Sequence, residues 1–300
     1  MPKKQQRMLG PLPVTSGKEA PARLAIFLWG PAGDGKTTFA ATAPGKKLWL
    51  SMSDNEHVPV SSRDDVDVVD LSVLGLDDLF KHGQNDNPFG LDQLLAEDTE
   101  IETVVFDSAT ALAFRALQKA VSDGDGRGAT FRPTIEVPGL TAYGGRNART
   151  ITVLTGLLRV TAKHNVHCII IGHEDDPEYV KDQRGQATGV IDHIGVQLGG
   201  KMVNNMAWRL SEIWHLRQKA TGDKGRILSF RPAAMRKPMK SRMFRYDTEP
   251  AFDLSYDAHK PDDAKGQMTI AQWHEDWLKG GKKKLAPPVN AKLVSHKGGK

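Results

Sequence analysis

Gly30, four intervening residues, then Gly35, Lys36 and Thr37 fall in the stretch GPAGDGKTT, residues 30–38. Glycines at that spacing let a turn wrap backbone N–H groups around phosphate oxygens. In such a loop Gly30, Pro31, Ala32, Gly33, Asp34, Gly35, Lys36, Thr37 and Thr38 form the nucleotide-binding set. Lys36 reaches the β- and γ-phosphates, and the Thr37 hydroxyl ligates Mg2+. Asp107 closes the apolar run TVVFD, and a carboxylate there can hold the same metal directly or through water. Hydrolysis also needs a carboxylate to orient and polarise the attacking water. Glu56, in SDNEH at 53–57, is the candidate base, with Lys36 as its catalytic partner.

These groups need strands to position them. RLAIFLW (23–29) reads as a buried strand feeding the glycine loop, and KTTFAATA starts a helix that stops at Pro44. Further strands are expected at 47–52, 66–71, 101–108 and 166–174, with helices at LDDLFKHG, LDQLLAED, ALAFRALQKAVS and 147–165. Strands alternating with helices predict an α/β fold, a mainly parallel sheet with helices on both faces. LSEIWHLRQ and GRILSFRP suggest paired strands around TGDKG. The stretches 174–195 and 198–205 read as mobile polar loops, Lys201 being the best single nucleic-acid contact. The expected organisation is a flexible arm at 1–22, an ATPase core at 23–245, a poorly structured extension at 246–278 and a disordered tail at 279–300.

The tail's seven lysines exceed the whole chain's net charge of +5. The basic balance therefore comes from the tail and not from a globally basic body. Between Lys219 and Arg245 nine Lys/Arg face one acid, Asp223. Arg231, Arg236, Lys237 and Lys240 are candidates there for DNA contact or for acting on a neighbouring nucleotide site. The single cysteine, Cys168, sits in an apolar run and forms no internal disulfide, which points to a reducing cytoplasm. No window reaches the ~18 apolar residues of a membrane span, so no membrane partner is expected.

Taken together, the strand, GPAGDGKTT, the D-x-E-H of 54–57 and VVFDS at 104–108 resemble the RecA-type recombinase core. That resemblance implies a RecA-like P-loop NTPase fold with Glu56 as catalytic base. CIIIGHE at 168–174 resembles the family's strand ending in a γ-phosphate sensor, here His173 where the family usually has an amide. QLGGKMVNNMAWRLSEIWHLR (197–217) is similar to the segment after the family's second DNA-contacting loop. SFRPAAMRKPMKSRMF (229–244) resembles the basic segment that reaches a neighbouring protomer's nucleotide. The compact form is similar to short phage-encoded RecA-like ATPases of recombination and single-strand annealing. It implies ATP and Mg2+ as cofactors, single-stranded DNA as partner, a homo-oligomeric ring or filament, a single-strand-binding protein as a further partner, and a bacterial host cytoplasm. Two other P-loop readings stay open: a nucleic-acid motor or loader, and a small-molecule kinase with a lid at 123–134 carrying Arg127 and Arg132. The absence of Asn-Lys-x-Asp argues against a GTP switch.

Overall fold

The computed structural model describes residues 8–9, 12–13, 22–124, 135, 139–199, 202–218, 225–230, 236–245, 251–253 and 269–285. Arg127, Arg132, Lys201 and Arg231 lie outside the described residues, as do 286–300 of the tail. Ala25–Gly30 (β1) is buried at every position, as a strand with both faces covered must be. It lies inside an eight-stranded sheet. The other strands are β2 (Lys46–Ser51), β3 (Val66–Asp70), β4 (Ile101–Asp107), β5 (His167–His173), β8 (Glu212–Gln218), β9 (Gly225–Ser229) and β10 (Ala251–Asp253). Their order is β10-β9-β8-β1-β5-β4-β2-β3. From β8 to β3 all pairings are parallel, and β9 and β10 add antiparallel at the edge.

Helices cover both faces. On one side α2 (Leu76–Gly83), α3 (Leu91–Glu97), α4 (Ala109–Ser122) and α5 (Gly139–Lys163) pack over Phe27, Phe106 and Ile170. On the other, α1 (Lys36–Ala40) and α7 (Ile270–Lys279) enclose Leu28, Trp49 and Trp214. The parallel strands all run the same way, so the tips of β1, β2, β4 and β5 converge at one edge. Loops leaving those tips carry the chemistry, as is usual for open α/β sheets.

Four expectations are corrected. Helix α1 ends at Ala40 because Thr42 and Ala43 N–H turn back to Phe39 and Ala40 carbonyls, three residues away, before Pro44 is reached. The stretch 174–195 contains a hairpin, β6 (Glu178–Lys181) with β7 (Ala187–His193). Its turn is set by Asp182, whose side chain accepts from Arg184 and Gln186 N–H, and by Gly185 at φ 78°. Within 198–205, α6 (Met202–Met206) begins, and it buries Met202 and Met206. The C-terminal extension includes α7, which buries Ile270 and Trp273 against Phe39, Trp214 and Phe244. Thr269 caps it by accepting from Gln272 N–H, and Leu285 beyond it pairs with Phe244.

Candidate active site

The glycine loop leaves β1 at Gly30, where φ is 154° and a Cβ would stand 2.0 Å from the Leu216 carbonyl oxygen. Only glycine lets the loop turn this close to β8. Gly33 and Gly35 are left-handed, at φ 80° and 84°, a conformation in which successive N–H groups form a concave anion-binding surface. Asp34 anchors the loop sideways: its carboxylate accepts from Gln218 N–H, and its carbonyl accepts from Arg226.

Lys36 Nζ folds over the loop, donating to the Gly30 carbonyl at 3.0 Å and the Pro31 carbonyl at 2.6 Å. Burial lowers its pKa to about 8, opposed by Asp107, Asp34, Glu56 and Glu174, so it stays a cation at neutral pH. Thr37 Oγ1 donates to Asp107 Oδ2 at 2.9 Å. Burial, and then the Glu56 charge, push the Asp107 carboxyl up to about 7. A hydroxyl and a buried carboxylate held together, with the carboxylate wanting a cation, are a donor set that suits Mg2+.

Glu56 stands across the cavity, in the turns that follow β2. Asn55 precedes it at φ 67°, tolerable for an asparagine. Ser108 Oγ donates to Glu56 Oε1 at 3.3 Å, while Glu56 Oε2 is buried without a hydrogen-bond partner. Ser108 also accepts from Ala111 N–H, capping α4. His173, at the tip of β5, brings Nδ1 to 3.4 Å from Lys36 Nζ and Nε2 to 3.9 Å from Glu56 Oε1. Thr110 Oγ1 accepts its backbone N–H. Gly33, Gly35, Lys36, Thr37, Thr38, Glu56, Asp107 and His173 all line one cavity of about 260 Å³, together with Pro59 and Ile171.

A family model described as an AAA domain matches residues 22–242. The chain belongs to the AAA domain family. This AAA-type ATPase domain is also similar in fold to the crystal structure of the RadB recombinase, at 15% identity and a TM-score of 0.40, covering 76% of this chain and 86% of that one. A comparison with curated proteins finds no match.

The basic candidates separate in space. Lys240 Nζ donates to the Ala207 and Leu210 carbonyls at 2.8 Å each. Its cation ties down the turn after α6, so the expectation of a phosphate-facing lysine fails there. Arg236 is paired with Glu174, Nε to Oε2 at 3.2 Å. Burial works to raise the Glu174 pKa, but hydrogen bonds from His215 and Arg236 outweigh it and hold it low. Lys237 is exposed and borders a cavity of about 430 Å³, larger than the loop cavity and lined by Asp175, Asp176, Glu178 and Asp192. Sequence reading missed Ser108 as a positioning group and missed the buried His215–Glu174 pair. The adjacency of Ser108 to Asp107 is the one signal that could have found the first; the second joins residues 41 apart and leaves none.

Proposed function

We propose that this domain hydrolyses Mg-ATP in the loop cavity and couples turnover to binding of single-stranded DNA, in recombination or annealing, as a self-assembling protein. The observation that carries the hydrolysis reading is Glu56. Its Oε2 is buried and unpaired beside Lys36, Thr37 and Asp107, where a water attacking a γ-phosphate would need a proton acceptor.

Loop N–H groups of 31–37 and Lys36 bind and orient the phosphates. Thr37 and Asp107 would hold Mg2+, which supplies charge neutralisation along the phosphate chain when bound. Ser108 fixes Glu56 Oε1, leaving Oε2 to take the proton from water. His173, between Lys36 and Glu56, is placed to answer to the state of the terminal phosphate. Its link onward is Glu174, the next residue, which grips Arg236 and so leads to the segment 236–245. Lys237, Arg242 and Arg245 are exposed on that segment, and cations of this kind suit a phosphodiester backbone. The DNA part of the reading rests on these residues and on the RecA-type resemblance of the motifs.

The test is steady-state ATP hydrolysis with and without single-stranded DNA, beside Lys36→Ala. Stimulation by single strands that is lost in Lys36→Ala supports the whole reading. A Lys36-dependent activity indifferent to DNA would overturn the coupling and favour a motor or loader activated by another partner. Hydrolysis unaffected by Lys36→Ala would overturn the site itself.

A further inference from the structure

The two ends of strand β5 carry surfaces that differ in charge, one lined mainly by acids and the other by bases. Beyond its C-terminal end stands the β6–β7 hairpin, exposed along nearly its whole length. Tyr179, Val180 and Val190 are 43%, 40% and 57% exposed on it. A two-stranded hairpin with most of its surface in water is marginal by itself, so this one gains from being covered. Between residues 175 and 192 it holds five acids and two bases. Four of those acids, Asp175, Asp176, Glu178 and Asp192, surround the cavity at its base.

At the N-terminal end of the sheet lies a groove of about 280 Å³, formed where β1 and β5 begin and where α7 ends. Among the described residues no aspartate or glutamate lines it; Arg23, His167, His274 and Lys282 do. Arg23 Nη1 is buried with no hydrogen-bond partner, a donor left without the acceptor that burial calls for. His167 Nδ1 accepts the Leu24 N–H at 2.8 Å, which places the ring proton on Nε2. His274 Nε2 contacts the Ala22 carbonyl at 2.7 Å and steadies the groove wall. The chemistry of this groove is that of a carboxylate receptor.

His167 opens β5 and His173 ends it, so the groove and the hairpin are separated by the length of a rigid strand, about 20 Å. A hairpin projecting from one end cannot enter the groove at the other end of its own chain. We propose that the β6–β7 hairpin of one copy docks in the Arg23 groove of a second copy, with Asp176 and Glu178 supplying carboxylates to Arg23 and Lys282. The contact is heterologous, head to tail, and repetition gives an open filament or a closed ring according to the rotation per step. It names the surfaces of the self-assembly proposed above and uses none of the nucleotide chemistry. It gives the hairpin a protein partner, in keeping with its acidic charge, which repels phosphates.

The test is sedimentation velocity of the full chain without nucleotide, across protein and salt concentration. Asp176→Lys/Glu178→Lys reverses the hairpin, and Arg23→Glu/Lys282→Glu reverses the groove; Lys282→Glu/Lys283→Glu is the milder groove variant should the first fail to fold. Each reversal alone should weaken association at least ~10-fold. Mixing a hairpin variant with a groove variant should restore it, because each then meets a complementary face. Association that survives both reversals, a parent chain that stays monomeric throughout, or a mixture that does not reassemble would overturn the proposal. So would single-stranded DNA binding that is lost specifically with Arg23, which would make the groove a nucleic-acid site. Because no nucleotide is present, failure here leaves the hydrolysis reading standing, and an inactive Lys36→Ala chain should associate as the parent does.

Discussion

Replacing Asp107 with asparagine separates what this carboxyl does for function from what it costs the fold. Burial first, and the Glu56 charge second, raise Asp107 from the ordinary 3.8 to about 7. The folded chain therefore holds a proton that the unfolded chain releases across that window. The stability this brings is complete below the unfolded value and is lost as pH rises through about 7. Three pH units at ~1.4 kcal/mol each put the cost of the ionised group at ~4 kcal/mol above pH 7, and at roughly a third of that at pH 5. A neutral amide escapes the cost. The stability of Asp107→Asn relative to the parent should thus improve by ~3 kcal/mol between pH 5 and pH 8. Urea unfolding of both chains at several pH values, in EDTA and without nucleotide, reads this directly. A gap constant to within ~0.5 kcal/mol across that range would refute the reasoning, because the shared titrations cancel. The same variant should lose Mg2+-dependent turnover, so the stabilising change is also the disabling one.

Glu56→Gln should keep ATP affinity while turnover falls ~10²–10⁴-fold; nucleotide binding by fluorescence and hydrolysis by phosphate release separate the two, and full turnover would remove Glu56 as base. Glu174→Gln leaves His215 and Arg236 without their anion, and should cost ~1–3 kcal/mol in urea unfolding; a loss under ~0.5 kcal/mol would mean the pair holds nothing. Trp273→Ala should cost ~3–5 kcal/mol, with weaker nucleotide binding because the support behind α1 goes; intact affinity in a destabilised chain would show that α1 stands without it.

The parts of the fold that could be read in advance are those fixed by local pattern. AIFLWG and the CIIIG inside HCIIIGH are apolar because their strands are covered on both faces, and no periodicity is needed to see that. The glycine loop is legible because its backbone demands glycine at fixed places. Helix α5 starts eight residues before and ends two before the expected 147–165, because Gly139, Gly144 and Gly145 are poor helix formers that give no sign of its first turns, where Ala142 is buried. The hairpin was invisible because neither of its faces is apolar. α7 left a signal that went unread: Thr269 as cap, with Ile270, Trp273 and Trp277 at helical spacing. At the site, the loop and strand-tip residues Lys36, Thr37, Asp107 and His173 line the cavity with Glu56, whereas Pro59 and Ile171 join it through the fold. What each cation faces did not follow, because Arg236 meets Glu174 across 62 residues and Lys240 meets Leu210 across 30.

The junction of α7 with α1 bears on how the chain is made. Ile270 N–H donates to Thr42 Oγ1, Ala271 N–H donates to the Thr42 carbonyl, and Trp273 packs on Phe39. The helix that follows the phosphate loop, near the start of the chain, thus rests on residues near its end. During synthesis, everything from the loop to β10 emerges from the ribosome before that support does. The packing behind the phosphate loop therefore cannot be completed in a growing chain until residues 270–273 have been made.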